Sequence, residues 1–180
     1  MDLGAVDRIT ADAVGEPGSR TFYIQARAGA DLVTVIVEKQ QVQLLAASVL
    51  QLLQESPDAD DLPQVEDEGV GMTLEEPLEA RWRAGRLSIG LDPERDLFLL
   101  EVEEYQPDAD ELEVDDPLPA MPGTEPELIR LWASKQQMLA LSRHGAAVAA
   151  RGRPLCQFCG NPMDAEGHAC PAMNGHSKPA

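Results

Sequence analysis

The chain has 180 residues, a length that fits one domain with a small appendage. Its 43% apolar and 26% charged residues are those of an ordinary globular domain and exclude wholesale disorder. The longest apolar stretch, residues 44–53, is broken by Ser48 and Gln51 and is far too short for a bilayer span. The opening Met-Asp-Leu-Gly lacks the basic and apolar regions of a secretory signal. Three cysteines are an odd number for a disulfide framework, so a cytoplasmic protein in a reducing compartment is expected, with no membrane contact.

Net charge is −18, and it is unevenly placed. Residues 51–80 carry ten acids and residues 101–127 carry eleven, in both cases with no base. Both stretches are also rich in Pro and Gly, which reads as solvated acidic loops near 56–76 and 106–123. Residues 128–180 hold six Lys or Arg against two acids. A whole-protein nucleic-acid binder is disfavoured, because phosphate neutralisation needs a basic stripe and only this last third offers a thin one. The aspartates at 58, 60, 61, 108 and 110 lack the central Gly, the twelfth-position Glu and the flanking helices of a calcium loop.

Residues 6–14 alternate weakly, as a strand does. Residues 20–27 alternate clearly, with Phe22, Ile24 and Ala26 on one face and Tyr23 and Gln25 on the other. The β-branched run 32–37 follows across Ala28-Gly29-Ala30-Asp31, a hairpin signature. From Lys39 to Glu55 the period becomes helical, with Val42, Leu45, Val49, Leu52 and Leu53 on a stripe. Three more strands are expected at 78–84, 87–91 and 97–105, the first two joined by a turn at Ala84-Gly85-Arg86. A second helix is expected to open at Thr124-Glu125-Pro126-Glu127, a capping-box pattern, and to place Leu128, Leu131, Trp132, Met138, Leu139, Ser142 and Ala146 along one side. Its early acids and its late Arg143, His144 and Arg151 would suit the helix dipole. Short strands linked by turns imply antiparallel pairing. The expected fold is therefore α+β: an antiparallel sheet of five or six strands with two helices, over residues 1–152. The aromatics Phe22, Tyr23, Trp82, Phe98, Tyr105 and Trp132 are spread over separate elements as core residues are. His144 reads as a surface or capping side chain.

The last segment, 153–180, differs in kind. Cys156, Cys159, His168 and Cys170 lie within fifteen residues, in the spacing C-x2-C-x8-H-x-C. Four N/S ligands are what a tetrahedral structural zinc requires, and Cys-x-x-Cys-Gly is a knuckle turn in which Gly160 can take the left-handed conformation. Two other readings stay open: a Cys156–Cys159 redox pair, and a catalytic metal with Glu166 or His176 nearby. The redox motif would stand at a helix start after a strand, whereas this pair follows a helix.

Gly-Glu-Pro-Gly-Ser-Arg-Thr-Phe-Tyr-Ile-Gln at 15–25, Val-Ile-Val-Glu-Lys-Gln-Gln-Val at 35–42 and the tail from Gly152 to Pro171 resemble a family of actinobacterial proteins of unknown function. The resemblance covers nearly the whole chain and implies a cytoplasmic protein with a zinc-ribbon-like terminus. It carries over Cys156, Cys159, His168 and Cys170 as ligands and no catalytic residue. The sequence contains no nucleophile–base constellation and no phosphate-cradling glycine loop. The expected function is a non-enzymatic, zinc-binding adaptor for a protein partner. The alternatives are an enzyme using the Cys/His cluster and a nucleic-acid-associated factor.

Overall fold

The structure, a computed structural model, describes residues 1–56, 71–106, 125–152, 156–160, 163 and 170. The acidic stretches around 57–70 and 107–124, and with them Thr124, lie outside the described residues. Among the described residues nine elements follow in chain order: β1 (Asp2–Ala5), β2 (Arg8–Val14), β3 (Thr21–Ala28), β4 (Asp31–Val37), α1 (Lys39–Glu55), β5 (Ala80–Asp92), β6 (Leu97–Glu104), β7 (Leu128–Ser134) and α2 (Lys135–Ala150). The strands form one sheet in the order β1-β7-β6-β5-β4-β3-β2.

That order places β1 and β2 at opposite ends, yet only Val6 and Asp7 separate them in sequence. So short a link cannot span a flat seven-stranded sheet. The sheet must curl until its ends meet. The hydrogen bonds show the seam: the Val6 amide donates to the Trp132 carbonyl of β7, and the next amide, Asp7, donates to the Arg27 carbonyl of β3, each at 2.8 Å. The Asp7 carboxylate also accepts from the Gly29 amide in the β3–β4 turn.

A second corner lies in β5. Its first part pairs with β4 through Ala80 and Arg83, and its remainder pairs with β6 from Ala84 to Asp92. The expected turn at Ala84-Gly85-Arg86 is instead a bulge within one long strand, with the register slipping between Ala84 and Arg86. Strands change sheets through such bends. Gly85 is required here, because a Cβ would stand 2.9 Å from the Tyr105 Cα.

The sheet is thus mixed, with seven strands rather than five or six. The β4–β5 and β1–β7 pairs are parallel. The β4–β5 connection contains α1 and is long enough for a crossover, which corrects the all-antiparallel expectation. The expected strand at 6–14 begins only at Arg8, after the seam. The larger correction concerns residues 128–134, expected as helix and found as strand β7. Leu128, Leu131 and Trp132 fit a helical spacing, but Ile129, Leu131 and Ala133 fit alternation, and these three are the buried ones. The helix starts at Lys135, where Ser134 accepts the Gln137 amide and the Gln137 side chain returns a bond to the Ser134 amide. No acid occupies its first turn and no base its last, so of the expected dipole pattern only Arg151, at the C-cap, remains. Ala146 is exposed, and His144 is buried, its Nε2 lying 3.6 Å from the Asp12 carboxylate.

The corners reveal two similar halves. Each consists of a bent strand, two antiparallel strands and a helix. Arg8-Ile9-Thr10 of β2 corresponds to Arg86-Leu87-Ser88 of β5, and Phe22 and Ile24 of β3 to Phe98 and Leu100 of β6. Glu38-Lys39-Gln40-Gln41 at the start of α1 corresponds to Ser134-Lys135-Gln136-Gln137 at the start of α2. The third helical residue acts alike in both. Gln41 Nε2 donates to the Ala84 and Gly85 carbonyls at one corner, and Gln137 Nε2 donates to the Val6 carbonyl at the other. The last strand of each half pairs in parallel with the first strand of the other.

The core joins both halves and both helices, with Phe98, Leu100, Leu131, Met138, Leu141 and Leu53 fully buried. The α1 stripe is as expected, with Leu52 half-buried. Of the aromatics, Phe22, Trp82 and Phe98 are buried, while Tyr23, Tyr105 and Trp132 are half-buried. Arg95 lies over the Trp132 ring at 4.6 Å. The helices meet closely, the Ser142 hydroxyl donating to the Ala46 carbonyl at 2.9 Å. On another face of β2–β4, Thr10, Gln25 and Thr34 are buried beneath residues 71–76. Arg8 holds that strap through the Gly71 and Thr73 carbonyls, and Gln25 brackets both the amide and the carbonyl of Glu75.

Gly85→Ala is expected to destabilise the fold by about 1–3 kcal/mol, because the clash is with backbone. Gln137→Ala should cost roughly 1–2 kcal/mol by opening the cap and freeing the Val6 carbonyl. Urea unfolding followed by circular dichroism measures both.

Candidate metal centre

The cluster follows directly from the end of α2. Arg151 caps the helix, its amide reaching the Ala147 and Val148 carbonyls, and Arg20 Nη1 of the first half donates to the Arg151 carbonyl at 2.5 Å. The helix end is thereby tied to the segment before β3, and the cluster begins five residues later.

Cys156 to Gly160 forms a tight turn. The Gly160 amide donates to the Cys156 carbonyl at 2.8 Å, and Gly160 has φ +72°, the left-handed conformation expected of it. This turn folds Cys159 back beside Cys156. Cys170 arrives from further along the chain, with its Sγ 3.8 Å from the Cys156 Sγ. The Sγ atoms of Cys156, Cys159 and Cys170 all lie within 4.8 Å of one another, and none of the three is in a disulfide. Cys156 and Cys170 are buried and Cys159 is half-buried.

The electrostatics favour thiolate. The Phe158 amide donates to Cys156 Sγ at 3.4 Å and holds that thiol below the usual cysteine range. The Cys159 amide and the neighbouring thiols of Cys159 and Cys170 act in the same direction, against burial. A sulfur that accepts a backbone amide, with two further sulfurs beside it, is an arrangement that could hold a metal ion. Three of the four ligand residues read from the sequence are thus brought to one point. The fourth, His168, lies outside the described residues, as do Glu166 and His176.

One family model, described as a protein of unknown function (DUF3090), matches residues 1–170. The chain belongs to the DUF3090 family. The match takes in both halves of the sheet, both helices and the three cysteines, so in this DUF3090 protein the cluster lies inside the family's span. No curated protein and no solved structure matches the chain. Among the described residues, no helix is long and apolar enough to cross a membrane.

The knuckle reading expects backbone amides on the first cysteine sulfur but does not single out Phe158 as a donor. Phe158 lies between two ligand positions, is 64% exposed, and contributes through its backbone amide while its ring faces solvent. Position, two residues after the first Cys of a knuckle, was the available signal. Phe158→Pro removes that amide donor. The Cys156 thiol of the metal-free, reduced protein is then expected to titrate at higher pH, read from thiolate absorbance in the ultraviolet.

Proposed function

We propose that this DUF3090 protein is a zinc-binding, non-enzymatic adaptor whose C-terminal segment, 153–180, carries a structural metal site beside an α+β body, 1–152. One observation carries the reading: the 3.8 Å separation of the Cys156 and Cys170 sulfurs, with the Cys159 sulfur beside them. Sulfurs bound to one tetrahedral zinc at about 2.3 Å stand about 3.8 Å apart. A disulfide would need them at about 2.05 Å. His168 would complete a four-ligand, closed site in which no position is left for substrate. Such a site can contribute on the order of 10 kcal/mol to the ordering of a segment with little core of its own.

The test is native mass spectrometry on tag-free protein purified under reducing conditions. One zinc per chain is expected, with loss in Cys159→Ser and weakened retention in His168→Ala. A metal-free chain that readily forms a disulfide among these cysteines would overturn the proposal in favour of thiol-redox chemistry. Retention of zinc in His168→Ala at unchanged affinity would remove His168 from the ligand set.

A further inference from the structure

The two halves differ in how they treat the same strand edge. Beyond each corner, the bent strand keeps a partner on one side only: β2 pairs with β3, and residues 86–92 of β5 pair with β6. Alternate residues of such a strand aim their N–H and C=O groups away from the partner, which makes an edge able to accept another strand. In the first half the helix closes against the strand. Gly145 of α2 lies so near that a Cβ there would stand 3.3 Å from the Ala11 Cβ of β2. In the second half α1 stands off. A cleft of about 280 Å³ opens between α1 and β5, with Gln41, Leu44 and Leu45 on one wall and Arg86, Leu87 and Ile89 on the other.

Three features of this cleft point to one kind of occupant. Gln41 bonds the Ala84 and Gly85 carbonyls just beyond the end of β4, and among the described residues nothing continues the ladder along 86–92. Leu44 is 68% exposed at the mouth, with the partly buried Leu87 and Ile89 opposite. Arg86 has no carboxylate partner among the described residues, although Glu103 is its cross-strand neighbour. Its counterpart Arg8 is engaged by two strap carbonyls and by Glu75.

We propose that the cleft between α1 and β5 binds an extended peptide segment of a partner protein, which adds as a strand along residues 86–92. The segment places an apolar side chain between Leu44 and Ile89, and a carboxylate on Arg86. Main-chain bonds then supply affinity, and the alternate pockets supply specificity. A second copy of the chain is disfavoured as occupant, because each copy carries −18. The inference extends the adaptor reading but does not depend on the metal.

The experiment selects binders to the intact, zinc-loaded protein from a display library of random nine-residue peptides. Enriched peptides should alternate apolar and polar residues and share one acidic position. N-methylation of backbone amides on alternate residues of a selected peptide should abolish binding, while methylation of the intervening amides should leave it intact. Arg86→Glu and Leu44→Asp, both at exposed positions, should each weaken binding roughly tenfold or more. Circular dichroism and zinc content, unchanged in these variants, separate loss of the cleft from loss of the fold or of the metal site. Failure to enrich any peptide, helical binders, or binding indifferent to both substitutions would overturn the proposal. So would a dimer in analytical ultracentrifugation that the same substitutions disperse, since the edge would then belong to a second copy.

Discussion

Between Ala5 and Arg8 the chain passes from one end of the strand order to the other, and consecutive amides bond to opposite ends of the sheet. A flat sheet cannot satisfy both bonds, so curvature is imposed at this point and distributed through the rest. The Gly85 bulge accepts the matching bend on the other side. Each corner is then fixed by a glutamine from the first turn of a helix, Gln137 at Val6 and Gln41 at Ala84 and Gly85. The helices therefore do more than cover apolar side chains. Their N-terminal turns supply hydrogen bonds to backbone carbonyls that the bends remove from the ladder, which would otherwise be a cost of burial.

Much of this was legible in local sequence. The hairpin at 28–31, the α1 stripe and the strand containing Phe98 were readable from periodicity, because one face of each meets the core and the other does not. Residues 128–134 were misread because four or five apolar residues satisfy helical and strand spacings equally well. The deciding signal was Ser134 with Gln137, a second capping box six residues beyond the segment's start. Closure of the sheet was not readable from any single segment, since it rests on pairings such as Asp2 with Arg130. The duplication was visible in principle. Lys-Gln-Gln follows an apolar strand twice, and Arg-Ile-Thr is echoed by Arg-Leu-Ser, but the matches are too short to stand out until the topology aligns them.

The cysteine cluster shows the opposite balance. Its residue types and spacing were plain in the sequence, because metal ligation depends on a few side chains close in the chain. The turn that Gly160 permits was readable as well, whereas the sequence did not single out the Phe158 amide as a donor to Cys156. It also did not convey that Arg20 would fasten the end of α2, and so the origin of the tail, to the first half of the sheet. The α1–β5 cleft was invisible to sequence for a different reason. It arises from a difference between two related halves: α2 comes close to β2 at Gly145, while among the described residues α1 leaves a cleft along β5.

Closure through residues 6 and 7 also bears on the order of assembly. β1 cannot find its place until β7 exists, and β7 is contributed by residues 128–134. A chain emerging from the ribosome would hold β1 and β2 without one of their two neighbours until residues 128–134 had been made. Loop-closure entropy must be met before those distant pairings give any return, which slows folding of sheets with such long-range contacts. Until then the apolar faces of β2, β3 and β4 are left unsealed at one border, a condition that favours contact with chaperones or with other nascent chains. The same two residues that let one sheet serve as its own neighbour therefore make its completion a late event.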